Sequence, residues 1–256
     1  MKNLFDVSGK VAVVTGGSRG IGAMIARGFV ENGAKVYITA RREEEMRATE
    51  GELAQLGECC AIASDLSTLE GVQAFAREVG GREERVHILV NNAGATWGAA
   101  IDEFPESGWD KTMDLNVKSL FFLTQQLLPQ LRAAASADDP ARVVNIGSIN
   151  GITNPGMNNY AYSASKAAVH HLTRHLGADL AAEDINVNGI APGFFPSKMT
   201  AHLQDPDLGL ARMIPRRRMG DAADAAGTAI YLCSRASAWM TGQTLVLDGG
   251  MVAQAG

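Results

Sequence analysis

Seven short apolar runs punctuate the 256-residue chain: VAVVT from Val11, KVYIT from Lys35, CAIAS from Cys60, HILVN from His87, RVVNI from Arg142, INVNGI from Ile185 and TLVLD from Thr244. Their β-branched bias and length favour strands over short helices. The segments between them are long enough for helical crossovers, the connection that parallel strands require. The pattern predicts a single-domain α/β fold over residues 1–256, with a doubly wound, mostly parallel seven-stranded sheet and helices on both faces. The loop SADDPAR at 136–142 is too short to separate domains.

Two helices are legible in detail. STLE at 67–70 predicts a capping box, with Ser67 as the cap and Glu70 closing it, ahead of a helix over 67–79. From about Trp109 to Arg132 the chain carries Leu120, Phe121, Leu123, Leu127 and Leu128, the pattern of a long inner helix.

Several function classes fit poorly. Cys59, Cys60 and Cys233 form neither a disulfide framework nor a CxxC site, and read as reduced packing residues. The net charge of −5 gives no general attraction to nucleic acid, and Arg216, Arg217 and Arg218 read as a solvated or anion-facing loop. No 18-residue apolar span is present and MKNLFDVSGK runs directly into a strand, so a soluble cytoplasmic protein with no membrane partner is expected. His171 and His175 share a helix face, but HExxH is absent and no nearby acid completes a metal site; no metal is expected.

The first run ends in TGGSRGIG, which places Gly16, Ser18, Arg19, Gly20, Ile21 and Gly22 at a strand-to-helix turn. Glycines there admit a diphosphate close to the backbone, and the positive helix end attracts its charge. The spacing is GxxxGxG, not the commoner GxGxxG. A glycine turn alone can serve geometry, but its position after the first strand of a doubly wound sheet points to a Rossmann-type dinucleotide site. After the second run, where an acid would hold a free ribose 2′-hydroxyl, stand Arg41 and Arg42. Arginines in that place favour a 2′-phosphate, hence NADP(H), although Arg19, Arg41 and Arg42 could instead be surface charge paired with Glu43 to Glu45.

YAYSASK at 160–166 offers two tyrosines. At about 100° per residue, Tyr162 shares a face with Lys166, four residues on, whereas Tyr160 points roughly 120° away. A free tyrosine is a poor acid or base at neutral pH, and a neighbouring ammonium lowers its pKa toward the working range. Tyr162 with Lys166 is the candidate proton donor, although YxxxK can also be an ordinary exposed helical pair.

Taken in order, TGGSRGIG, NNAG at 91–94, Asn116 in LNV, Ser148 after a strand, YSASK at 162–166 and Pro192-Gly193 resemble the short-chain dehydrogenases/reductases. The likeness runs from Val11 to Gly250. Within that family TWGAA at 96, NIGS at 145 and PGFFPSKMT at 192 are similar to 3-oxoacyl reductases, especially the β-ketoacyl reductase type associated with rhamnolipid synthesis. The resemblance implies a relay of Asn116, Ser148, Tyr162 and Lys166. In it Tyr162 gives the proton, Ser148 holds the carbonyl oxygen, Lys166 also binds the nicotinamide ribose, and Asn116 distorts its helix and holds a water. It further implies that Asn91, Asn92, Ala93 and Gly94 support the cofactor, that Asp65 and Leu66 lie at the adenine, and that the loop from Pro192 and Gly193 to Ser197 holds the nicotinamide amide. Singly, Asn116, Ser148 and Asp65 also read as capping or turn residues.

The chain departs from the family pattern twice. The Ser148–Tyr162 interval is one residue longer than in many members, which places Tyr160 at the pocket rim, and Ser197 stands where threonine is usual but keeps the hydroxyl. The expected pocket lining is Trp97, Ile149, Met157, Phe194, Phe195 and Met199, suited to an apolar ketone, with a substrate lid at about 193–214. Some of these side chains could instead fill core. Arg212 and Arg216 to Arg218 could meet a carrier-protein or CoA phosphate. The resemblance implies a homotetramer built on the helices at 109–132 and 158–182 and on the C-terminal DGG region. The expected activity is NADPH-dependent reduction of a 3-oxoacyl thioester, with acyl carrier protein as a candidate partner. The alternatives are a reductase or dehydrogenase of free small or cyclic ketones and secondary alcohols, or a nucleotide-sensing protein without chemistry.

Overall fold

The structure, a computed structural model, describes residues 3–154, 156–197 and 210–254. The seven runs become β1 (Val11–Thr15), β2 (Lys35–Ala40), β3 (Cys59–Ala63), β4 (Ile88–Asn91), β5 (Ala141–Ile146), β6 (Ile185–Pro192) and β7 (Thr244–Leu247). They form one sheet in the order β3-β2-β1-β4-β5-β6-β7. Every neighbouring pair is parallel, so the sheet is wholly rather than mostly parallel.

Alternate residues of each strand feed opposite layers. Ala12, Val14, Val36, Ile38, Val90 and Val144 pack beneath helices α1 (Gly20–Glu31), α2 (Glu43–Leu53) and α8 (Ala222–Cys233). On the other face, Val13, Tyr37, Leu89, Val143 and Val187 meet α3 (Leu69–Arg82), α5 (Ser119–Ala134) and α6 (Tyr160–Leu180). Two short helices, α7 (Leu210–Met213) and α9 (Met251–Gln254), flank the last strand. The order reverses between β1 and β4, and the crevice beyond their C-terminal ends is where open α/β sheets bind ligands.

The helix expected at 67–79 runs from Leu69 to Arg82, and its cap is Thr68, whose hydroxyl accepts the Gly71 N–H. Ser67 instead donates to Asp65, so the Ser67–Glu70 box does not form. The long helix starts earlier and ends later than its sequence pattern indicates, as α4 (Glu106–Met113), a π-helical turn at Asp114–Lys118, and α5. Leu120, Leu123 and Leu127 are buried, whereas Phe121 and Leu128 are half-buried.

A buried polar chain ties this layer together. The Asn91 amide donates to Thr124 Oγ1 at 3.1 Å and to Asn145 Oδ1 at 2.9 Å, and the Asn145 amide donates to Thr173 Oγ1 at 3.0 Å. Among the described residues no helix is long and apolar enough to cross a membrane.

Candidate active site

Three strand ends and two helices build the site. At the end of β1 the Thr15 hydroxyl accepts the Asn92 and Ala93 N–H groups, both at 2.9 Å, and donates to the Val90 carbonyl. Asn92 returns the contact by donating its amide to the Thr15 carbonyl at 2.8 Å and the Gly16 carbonyl at 3.2 Å. The NNAG run thus clasps the glycine turn through Asn92. Its neighbour Asn91 is turned into the polar chain beneath α5, so its side chain supports the crevice from behind.

The turn has the shape of an anion cradle. Gly20 adopts φ +54° at the start of α1, a conformation that side chains strain. At Gly22 a Cβ would lie 2.3 Å from the Gly16 carbonyl oxygen, so the tight turn admits only glycine. No side chain caps α1 and its first turn carries no acid, which leaves the positive helix end open to a diphosphate. Arg19 occupies the N-cap position, the Ser18 carbonyl accepts from Thr49 Oγ1, and Ile21 is half-buried against the core. Ser197 comes up against Gly20 from the loop after β6. Gly193 donates to the Leu247 carbonyl beside the buried Pro192.

The arginines beside β2 are engaged. Arg19 and Arg42 converge on Glu45 at 3.2 and 2.7 Å, and Arg41 Nε stands 4.0 Å from Asp65. The carboxylate of Asp65 is held below its ordinary range by hydrogen bonds from Ser67 and by Arg41, against the opposing effect of burial. Leu66 anchors the segment after β3 by burying its side chain in the core, which leaves its backbone as the part that could face an adenine.

The catalytic candidates converge at the ends of β4 and β5. Ser148 follows β5, accepts the Asn150 N–H on its hydroxyl, and lies near enough to the Tyr162 phenol to favour its ionised form. Because α6 begins at Tyr160, Tyr162 and Lys166 share its inner face, with the Lys166 ammonium 5.6 Å from the Tyr162 ring centre. Lys166 donates to the Ile146 carbonyl at 2.7 Å, and burial lowers its pKa to about 8. Burial pushes the Tyr162 phenol upward, opposed by Ser148, so the expected lowering by the ammonium does not prevail. The phenol stays protonated at neutral pH, the state a proton donor needs.

Asn116 lies in the π-helical turn, which is the helix distortion expected of it. Its oxygen accepts the Ala95 N–H at 2.7 Å, and its amide donates to the Ala95 carbonyl and Ser165 Oγ, both at 2.9 Å. With both amide hydrogens occupied, this side chain braces the loop after Gly94 against α6 and has none left to donate to a water. Gly94 faces the Asn116 amide oxygen.

The pocket expectations divide. Trp97 is half-buried, packed on Gly108 with Lys111 over its ring at 5.1 Å; Ile149 is buried and Met157 exposed. Phe194 is half-buried, and Phe195 is 3% exposed and packs on Gly220 with the core. Met199, and the lid from 198 to 209, lie outside the described residues. Tyr160 turns away from Lys166 to meet Phe104 edge-on at 5.8 Å and to donate to Asn158 Oδ1.

Thr15 and His170 escape a reading of the sequence motifs. His170 continues the four-residue spacing of Tyr162 and Lys166, so the signal was present, and its Nε2 accepts the Ser148 N–H at 3.3 Å. His171 is exposed and His175 pairs with Asp179; among the described residues no group of three His, Cys, Asp or Glu could hold a metal.

A model of the family described as short chain dehydrogenase matches residues 10–207. The chain is 49% identical to the rhamnolipids biosynthesis 3-oxoacyl-[acyl-carrier-protein] reductase of Pseudomonas aeruginosa over 253 residues, covering 98% of this chain and 99% of that one. It is 33% identical to the gluconate 5-dehydrogenase of Gluconobacter oxydans, with 97% of each chain covered. The solved Pseudomonas aeruginosa RhlG/NADP active-site complex superposes with a TM-score of 0.94 at 50% identity, over 98% of this chain and 99% of that one. The chain therefore belongs to the short-chain dehydrogenase/reductase family.

Proposed function

We propose that this protein is an NADPH-dependent ketone reductase whose substrate is a 3-oxoacyl thioester. The observation that carries the reading is the meeting of Ser148, Tyr162 and Lys166 beside a glycine turn shaped for a diphosphate. A reduced nicotinamide held in the crevice would supply hydride to the carbonyl carbon. Ser148 holds the carbonyl oxygen as charge develops there, and Tyr162 transfers its phenolic proton to that oxygen, giving the secondary alcohol. The Lys166 ammonium stabilises the phenolate left behind until a proton returns. Arg41, with Arg19 and Arg42 redirected from Glu45, would receive the 2′-phosphate of NADP(H).

The 3-oxoacyl assignment follows the 49% identical rhamnolipids biosynthesis 3-oxoacyl-[acyl-carrier-protein] reductase. Arg212 and Arg216 are exposed and would suit the acidic surface of a carrier protein or the phosphate of CoA. Edge strand β7, with Val246 44% exposed and the neighbouring Trp239 fully exposed, suits burial between copies in a homotetramer. Three free cysteines suit the cytoplasm. A second reading, reduction of a free ketone or sugar acid, draws on the 33% identical gluconate 5-dehydrogenase.

The test is NADPH absorbance during incubation with a panel of 3-oxoacyl thioesters and free ketones. Faster turnover of the thioesters is expected. Turnover of free ketones with none of any thioester would replace this reading with the second.

A further inference from the structure

The backbone of Ser148 is held as deliberately as its hydroxyl. Its extended N–H points at His170 Nε2, 3.3 Å away, while its hydroxyl accepts the Asn150 N–H at 3.2 Å. The preceding residue is pinned too, since Gly147 donates to the Ile190 carbonyl at 2.7 Å. Gly147 leaves just enough room for the imidazole: a Cβ there would lie 2.1 Å from His170 Nε2.

Nε2 can accept this bond only in the neutral ring that carries its proton on Nδ1. The surroundings favour that form, because burial lowers the His170 pKa and the charges of Lys166 and Arg174 lower it further. These two cations come from α6 itself. The other segments at the imidazole, the Gly147–Ile152 loop and the Thr241–Thr244 turn, bring no charged side chain. On its outer side His170 lines a groove of about 520 Å³ with Arg174, Ile152 and Thr241, so bulk protons reach the ring.

We propose that His170 is a positioning residue for the reaction: its neutral imidazole fixes the Ser148 backbone, and through it the hydroxyl that meets Tyr162, and its protonation releases that serine. The proposal rests on Ser148 acting as proposed above. In the imidazolium both ring nitrogens donate, so Nε2–H would oppose the Ser148 N–H and turn the peptide. A displacement near 1 Å at a catalytic group costs up to about 100-fold in rate.

The experiment is the pH profile of kcat from pH 5 to 8, at saturating NADPH and ketone, for the wild type, His170→Gln, His170→Leu, Gly147→Ala and Ser148→Ala. Wild type should lose activity toward acid with a midpoint below 6.5. His170→Gln, which keeps an acceptor that does not titrate, should stay within about threefold of wild type at pH 7 and lose the acid limb. His170→Leu should fall about 10- to 100-fold in kcat at pH 7, with KM for NADPH within about twofold. Gly147→Ala, which displaces the ring, should behave as His170→Leu does. Equal losses in the Gln and Leu variants, or wild-type kcat with an intact acid limb in His170→Leu, would overturn the role. An unaffected Ser148→Ala would instead show that the serine was misassigned, whatever the His170 variants do.

Discussion

The Lys166 ammonium donates to the carbonyl of Ile146, at 2.7 Å, so the last residue of β5 fixes a charge from α6 inside the site. That contact and the burial around it set the first prediction. The Lys166 pKa drops from 10.5 to about 8, so the folded chain sheds this proton before the unfolded chain does. The unfolded state then binds more protons between about pH 8 and 10.5, and stability rises with pH across that window. Lys166→Met removes a buried charge costing about 3 kcal/mol at neutral pH and leaves the Ile146 carbonyl without its donor at about 1–2 kcal/mol. The inactive variant should therefore be stabilised by on the order of 1–2 kcal/mol at pH 7, with the gain fading by pH 10. Thermal melts at the two pH values check this, and a melt below wild type at both would contradict it.

Tyr162→Phe keeps the ring and removes the proton donor. Its kcat should fall by about 10²–10⁴-fold, with NADPH affinity within a few-fold of wild type. Single-turnover kinetics with a reactive ketone, paired with a fluorescence titration of NADPH, separate the two quantities. Near-wild-type kcat would move the proton donor elsewhere.

Glu45 holds Arg19 and Arg42 together at the mouth of the cofactor crevice. Glu45→Gln removes a carboxylate that would repel a 2′-phosphate, so NADPH should bind about two- to fivefold tighter while NADH stays unchanged. Arg41→Asp should weaken NADPH by about tenfold or more and shift the preference toward NADH. Calorimetric titration of each cofactor reads both effects, and parallel changes for the two cofactors would count against a 2′-phosphate site.

Gly22→Ala brings a methyl group to 2.3 Å from the Gly16 carbonyl, an obstacle made of backbone rather than a flexible side chain. The turn must open, at a cost of about 2–4 kcal/mol. Chemical denaturation should register that loss, and NADPH binding should weaken with it; an alanine variant as stable as wild type would show the turn to be looser than its geometry indicates.

Much of this was readable in advance because it follows from local spacing. Seven β-branched runs gave seven strands, and a four-residue interval separated Tyr162 from Tyr160. What escaped depended on contacts remote in the chain or on fine backbone choices. Ser67 and Thr68 are both capable caps, and the dihedral angles of the turn decide between them. The burial of the Leu66 and Phe195 side chains, in the segments after β3 and β6, is set by tertiary packing that the local pattern does not specify. His170 had the right spacing, but its partner is a backbone N–H 22 residues earlier, which no side-chain motif announces.

The hydrogen-bonded path from Thr124 through Asn91 and Asn145 to Thr173 passes from α5 across β4 and β5 into α6. It works as a rivet through the laminate: a one-residue slip of either strand would strand several polar atoms away from water. The helix of Tyr162 and Lys166 and the helix that follows the Asn116 turn are thus registered to the same two strands. A chimera that exchanges α6 alone with a relative should lose this alignment unless Thr173 and Asn145 travel together.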